Sequence, residues 1–166
     1  MQGSNGNKEG EGTVEEQQIS KKQPKACPST YKTFSLSLQA LVILAKHSSL
    51  CPSSDIAQDI QSEATLLRRI LSVLSRENII ETREGREGGY RLSKRPEEIT
   101  LAEVYAALHI DEARCVSMTE ATGENPFGLK MKAVMYDITS EIDQSILNVL
   151  EKYTIQDLVN RTCELD

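Results

Sequence analysis

The stretch "EATLLRRILSVLSRENIIETREGREGGYRLSK", residues 63–94, decides the fold, and its first half has the pattern of a two-sided helix. Leucine, isoleucine and valine recur on one side of a helix drawn through residues 63–77, which predicts a buried face. The opposite side carries hydroxyl and guanidinium groups, from Thr65, Arg68, Arg69, Ser72 and Arg76. A shorter helix over "DIAQDI", residues 55–60, precedes it. This order predicts a helix-turn-helix whose second, arginine-bearing helix contacts DNA.

The second half of the stretch predicts a β-hairpin, with "IIETR" and "GYRLS" as strands on either side of "EGREG". A loop rich in glycine and arginine also suits a nucleotide phosphate. Such a loop, however, lies between a strand and a helix, whereas this one lies between two strands and lacks a G-K-[ST] sequence. A hairpin needs glycine for positive φ and for close backbone approach. We therefore predict a wing that follows the DNA backbone or minor groove through Arg83, Arg86, Gly88 and Arg91, with Arg86 at its tip.

The charge of the chain is unevenly distributed. The net charge of −6 is unusual for a DNA-binding protein. Residues 62–95, however, carry 8 lysines and arginines against 5 acids, whereas residues 96–166 carry 5 against 14. The predicted helix and wing are thus a basic segment in an acidic protein, and the local field governs the affinity for phosphate.

The segments before this stretch predict a disordered tail and one helix. Residues 1–30 contain mostly Gly, Ser, Gln, Glu and Lys, a composition typical of disorder. From Tyr31 onwards, apolar residues mark a helix with two apolar faces over residues 33–47. A helix that is apolar on two sides must be covered on two sides, and a partner chain is one candidate for the second cover.

The segments after the wing predict a helix, a loop and a long helix. Thr100 caps a helix that begins "LAEVYAAL". Residues 111–128 contain Gly123 and an Asn-Pro pair, which predicts a loop. The long helix follows over residues 129–150, with a last short helix after Thr154. Because a small chain has little surface to cover so long a helix, we expect dimerisation through it and through the 33–47 helix.

These assignments divide the chain into four parts: a tail at 1–30, a winged helix-turn-helix domain at 31–110, a loop at 111–128, and a dimerisation helix with a short C-terminal helix at 129–166. The expected fold class is mainly α with a small antiparallel β wing. No apolar run approaches the roughly 20 residues of a membrane helix, and a cytoplasmic location is expected.

The motif order resembles the Rrf2 family of bacterial winged-helix transcription regulators. The residues that carry the resemblance are "LLRRIL" at 66–71, "GGYRL" at 88–92, "RP" at 95–96 and "ITL" at 99–101. The resemblance implies a homodimer that binds double-stranded DNA at inverted repeats and represses promoters. The "LLRRIL" sequence is most similar to the YwnA-like branch, which lacks a complete set of iron–sulfur cysteines.

The cysteines separate this chain from the cluster-binding members of that family. Those members carry three closely spaced cysteines after the "ITL" helix, where this chain has only Cys115. A cluster needs about four ligands, so neither a cluster nor another metal site is expected. Cys115 is a possible redox-sensing residue because neighbouring Arg114 favours the reactive thiolate, although Asp111 and Glu112 oppose it. The alternative is an unreactive surface or interface cysteine. Cys51 is placed in a turn where it could be exposed.

The functional prediction is a sequence-specific DNA-binding transcription regulator, a homodimeric repressor that could respond to redox state or to a small molecule. The alternative is a protein-interaction module that kept the winged helix and lost DNA binding. The sequence contains no Ser-His-Asp arrangement or paired His ligands in a plausible context, so an enzyme is not expected.

Overall fold

The computed structural model describes residues 30–85 and 88–164. The expected fold class is confirmed, because this part of the chain is mainly helical and holds one two-stranded antiparallel sheet. The elements in chain order are α1 (Thr30–Lys46), α2 (Ser53–Asp59), α3 (Ala64–Arg76), β1 (Ile80–Arg83), β2 (Gly89–Leu92), a 3-10 turn (Pro96–Glu98), α4 (Leu101–Ala107), α5 (Ile110–Glu120), α6 (Pro126–Leu150) and α7 (Ile155–Cys163). Residues 1–29 of the tail predicted at 1–30, and the predicted wing-tip residue Arg86, lie outside the described residues, whereas Thr30 is the first residue of α1.

The core is aliphatic and lies between α1, α2, α3, α4 and the base of the hairpin. Its fully buried side chains include Leu41, Ile56, Leu71 and Ile80. Each such side chain contributes about 1.5–3 kcal/mol through burial. The hydrophobic face of α3 therefore packs against this core, and its opposite face points towards solvent.

The second apolar face of α1 is covered by the chain itself. Helix α7 packs along α1, and α7 is tied to the start of α4 through backbone hydrogen bonds. The Leu101 N–H donates to the Tyr153 carbonyl at 2.9 Å, and the Ile155 N–H donates to the Ile99 carbonyl at 3.0 Å. The predicted division of the chain groups α7 with the dimerisation helix. In the structure, α7 packs against α1 of the winged helix-turn-helix domain. The apolar face of α1 thus needs no partner chain to cover it.

The predicted loop at 111–128 is wrong for its first ten residues. Helix α5 occupies Ile110–Glu120, and it is separated from α4 by His109, whose φ of +50° breaks the helical path. The breakers at Gly123 and Pro126 mark only the turn between α5 and α6. Asn125 caps α6 by accepting a hydrogen bond from the Gly128 N–H at 2.8 Å, so α6 begins three residues earlier than the predicted residue 129.

Candidate nucleic-acid interface

The outer face of α3 is exposed over its whole length. Its inner face is buried through Leu67, Ile70, Leu71 and Leu74. The five predicted contact residues all lie on the exposed side, and they are Thr65, Arg68, Arg69, Ser72 and Arg76. The amphipathic division predicted from the sequence is therefore present in the fold, and it leaves hydroxyls and guanidinium groups facing solvent.

The arginines of this face differ in their partners. Arg76 lies near the end of α3, and its Nε is 3.4 Å from Glu77 Oε1. Arg68 and Arg69 have no ion pair or side-chain hydrogen bond with any described residue. Two adjacent guanidinium groups without a protein partner can donate to base edges or phosphates without first breaking an internal contact.

The wing is a short antiparallel hairpin that follows α3 directly. Asn78 has a left-handed φ of +57°, and the Ile79 N–H donates back to the Leu74 carbonyl at 2.9 Å, which ends the helix and turns the chain into β1. The strand register pairs Thr82 with Tyr90 and Arg83 with Gly89. The backbone of this turn therefore fixes the angle between α3 and the hairpin.

The three wing glycines serve two different needs. Gly85 has a φ of +117°, which L side chains rarely adopt, and it forms the turn. A Cβ on Gly88 would collide with the Arg83 carbonyl oxygen, and a Cβ on Gly89 would lie 2.7 Å from the Cys51 carbonyl oxygen. Gly88, predicted as a DNA contact, thus has a structural reason to be glycine that is independent of DNA.

Two contacts that the sequence did not reveal hold the wing in place. Cys51 forms a bridge with Tyr90, through N–H to carbonyl bonds of 3.0 and 2.9 Å in the two directions. The Ser75 and Thr82 hydroxyls lie 3.0 Å apart and join α3 to β1. A lone cysteine before proline and two hydroxyls seven residues apart carry no recognisable pairing signal, so these contacts emerge only from the fold.

The wing arginines also fall into two groups. Arg83 is exposed and makes no ion pair with a described residue. The Arg91 guanidinium donates to Glu81 Oε2 from Nε at 2.8 Å and from Nη2 at 2.5 Å. Arg91, predicted to contact the DNA backbone, is thus already engaged by a carboxylate on the neighbouring strand.

Neither Cys51 nor Cys115 belongs to the exposed face of α3. Cys51 is 3% exposed, so the prediction of an exposed thiol is wrong. Burial raises the pKa of the Cys51 thiol, and the carboxylates of Asp55 and Asp59 raise this pKa further. Cys115 lies on α5, where its Sγ accepts from the Thr139 hydroxyl of α6 at 3.7 Å. Arg114, expected to influence Cys115, instead forms an ion pair with Asp143.

A second exposed surface lies along α6. Apolar residues recur there at intervals of four or seven positions and form what we call the apolar stripe: Val134, Ile138, Ile142 and Val149. Their exposed fractions are 48%, 41%, 39% and 51%. A groove of about 510 Å³ lies along the same part of the helix, lined in part by Ile138, Ile142 and Val149. Of the 25 residues of α6, only Gly128 and Thr139 are buried.

The described residues hold neither a metal-binding cluster nor a membrane-spanning helix. Within residues 30–85 and 88–164, no three His, Cys, Asp or Glu side chains lie close enough together to hold a metal ion. Across the same residues, no helix combines the length and apolar character required for a membrane span.

Comparison with known proteins places the chain among transcription regulators. A family model described as Rrf2, iron-dependent transcriptional regulator, matches residues 30–161. The HTH-type transcriptional regulator NsrR of Shouchella clausii is 30% identical over 134 residues, which cover 79% of this chain and 87% of the relative. YwnA of Bacillus subtilis is 26% identical over 108 residues, which cover 65% of this chain and 80% of YwnA. The structure of CymR, the global cysteine regulator of B. subtilis, superposes with a TM-score of 0.55 at 21% identity, over 78% of this chain and 94% of CymR.

Proposed function

The chain belongs to the Rrf2 family of transcription regulators, and we propose that it binds an inverted-repeat operator as a homodimeric repressor. The family identifies a DNA-binding regulator. The observation that carries the proposed mode of binding is the pair Arg68 and Arg69, which lie exposed and unpaired among the described residues on the outer face of a helix whose inner face is buried.

The contact chemistry suits a major groove. The exposed face of α3 offers guanidinium groups, which donate in pairs to guanine O6 and N7, and hydroxyls, which bond to bases or phosphates. In the proposal, Arg68 and Arg69 read base edges, Thr65 and Ser72 support them, and Arg76 contacts the DNA backbone. Arg83, beside the wing turn, reaches the phosphates or the minor groove, and Arg86 would extend this contact.

A two-fold pair of chains would place two such faces on one side of the duplex. The apolar stripe of α6 supports this assembly, because its side chains are partly exposed in the single chain and are spaced like the seam between two packed helices. The 33–47 helix, expected to share in dimerisation, has its second face covered by α7, so the proposed interface uses α6. Half-sites bound by such a pair lie about one helical turn apart, roughly 10 bp.

The residues present do not fit an iron–sulfur cluster. Cys115 is the sole cysteine of the α5–α6 hairpin, and its sulfur contacts Thr139 of the next helix. A cluster requires about four ligands, typically thiolates. We therefore propose regulation without a cluster, although the family is described as iron-dependent. A DNA-bound regulator acts where the chromosome lies, so a cytoplasmic location belongs to the same proposal.

The test is selection of fragments from the source genome by the full-length protein, followed by gel shifts on the selected DNA at increasing salt. The wild type should select a recurring inverted repeat and lose affinity steeply between 50 and 200 mM salt, by about 10³-fold or more for six phosphate contacts. The double variant Arg68→Ala plus Arg69→Ala should abolish the specific shift. Lys130→Ala is the matched control, since it removes an exposed cation from α6. Failure of the wild type to enrich any sequence would instead favour a protein-interaction module.

A further inference from the structure

The wing carries a salt bridge that the proposed contact set does not use. Glu81 and Arg91 lie directly opposite each other on β1 and β2. Both donors of the Arg91 edge, Nε and Nη2, bond to the same carboxylate oxygen at 2.8 and 2.5 Å. The strand register therefore keeps this carboxylate within reach of this guanidinium as long as the hairpin is intact.

The pair shares one exposed face of the hairpin with Arg83. Side chains alternate across a strand, so Glu81, Arg83 and Arg91 project from the same face of the hairpin. The Arg91 and Glu81 side chains are 63% and 50% exposed. Arg83, on that face, has no ion pair with a described residue. One arginine of this face is thus available to DNA, while the other is held by a carboxylate.

An exposed salt bridge has little effect on folding, but it can limit the number of phosphates that a DNA-binding surface neutralises. Ion pairs this exposed contribute little to stability, because water and salt screen them. Sequence-independent binding to DNA, in contrast, depends almost entirely on how many phosphates the protein neutralises. A carboxylate that occupies Arg91 subtracts one phosphate contact from the wing and also repels the backbone with its own charge.

We propose that Glu81 limits the sequence-independent DNA affinity of the wing by holding Arg91 away from phosphate. The inference rests on the proposed function, and it identifies Glu81 as a residue that acts on DNA binding through another residue. Its consequence is selectivity: a regulator must find its operator among about 10⁶–10⁹ competing genomic sites, so weak phosphate binding by the wing leaves recognition to the bases read by α3.

The experiment compares wild type and Glu81→Gln as full-length proteins on a labelled 30-bp duplex of mixed sequence without the operator, by fluorescence anisotropy at several KCl concentrations. One additional phosphate contact steepens the slope of log K against log salt by about 0.9, which corresponds to an affinity about eightfold higher at 0.1 M salt. Glu81→Gln should show both changes. Thermal unfolding should be unchanged, since both side chains of the pair are exposed.

Two controls separate release of Arg91 from a simple change in net charge. Glu84→Gln removes the same charge from the same exposed wing, where Glu84 makes no ion pair with a described residue, and it should change affinity less than about twofold. In an Arg91→Gln background, Glu81→Gln should have no larger effect than Glu84→Gln.

Equal gains from Glu81→Gln and Glu84→Gln, or a full gain from Glu81→Gln without Arg91, would overturn the inference while the proposed function stands. A wild-type protein that binds neither this duplex nor any genomic fragment would overturn the proposed function and the inference together.

Discussion

Replacing Ile138 with aspartate should separate the two subunits of the proposed dimer while leaving each one folded. Ile138 is 41% exposed in the single chain, and it lies in the middle of the apolar stripe. Burial of that exposed part against a partner is worth about 1 kcal/mol. An unpaired carboxylate enclosed in the seam costs about 2 kcal/mol or more, and aspartate is too short to extend its charge into water.

Both costs occur once in each subunit of the proposed dimer. The free energy of dimerisation should therefore become less favourable by about 6 kcal/mol, which raises the dissociation constant by a factor of about 10⁴. Each subunit should lose only about 1 kcal/mol of its own stability, because Ile138 is not part of the buried core. Affinity for the operator should fall by about 10²–10⁴, since a lone subunit cannot bind both half-sites at once.

Sedimentation velocity at micromolar concentration measures the assembly, and gel shifts on the selected operator measure the binding. The matched control is Gln144→Asp, which adds the same charge to an exposed position of α6 off the apolar stripe. The control should remain dimeric. A dimeric Ile138→Asp protein, or a monomeric Gln144→Asp protein, would refute the reasoning that places the seam on the stripe.

Three further predictions concern the wing, the C-terminal helix and the thiol. Gly89→Ala should destabilise the wing and weaken DNA binding at least tenfold in gel shifts, because its Cβ would lie 2.7 Å from the Cys51 carbonyl oxygen. Hydrogen bonds from the backbone N–H and the hydroxyl of Thr154 lower the pKa of Asp157. The stabilising effect of the Asp157 carboxylate should be complete above the ordinary aspartate pKa of about 3.9 and should be lost as the pH falls below that value. In thermal melts over that acidic range, the Asp157→Asn variant should therefore lose less stability with falling pH than the wild type does. If Cys115 senses oxidants, peroxide should release operator DNA from the wild type but not from Cys115→Ser, whereas an equal response of both proteins would exclude that role.

The sequence was most informative where local pattern and tertiary packing agree. The inner face of α3 repeats aliphatic residues at helical spacing, and the same residues are buried in the fold. The wing was predicted from glycines between two short runs rich in β-formers, and its strands pair in a regular register. In both places the local sequence pattern alone predicts the secondary structure, without information from distant residues.

The sequence was least informative where distant segments meet. The cover of α1 by α7, the bridge from Cys51 to Tyr90 and the ion pair between Arg114 and Asp143 all join residues far apart in the chain. The loop predicted at 111–120 is wrong for a local reason: the breakers Gly123 and Pro126 lie downstream of this segment, which is helical. Helix propensity is a weak guide for such a segment, because the packing of α5 on α6 stabilises the helix there.

The availability of each arginine likewise could not be predicted from composition. A count of arginines treats Arg68, Arg83 and Arg91 as equal contributors to a basic segment. The strand register gives Arg91 a carboxylate partner, whereas the described residues give Arg68 and Arg83 none. The proposed interface is therefore smaller and more selective than the charge pattern indicates.

The most direct test of the central claim, that two copies of α3 each read bases in a major groove, is methylation interference on the selected operator. Methyl groups on guanine N7 lie in the major groove, where Arg68 and Arg69 are proposed to donate. The account predicts two symmetric clusters of interfering guanines about 10 bp apart. Absence of guanine interference, or a single unpaired cluster, would contradict it.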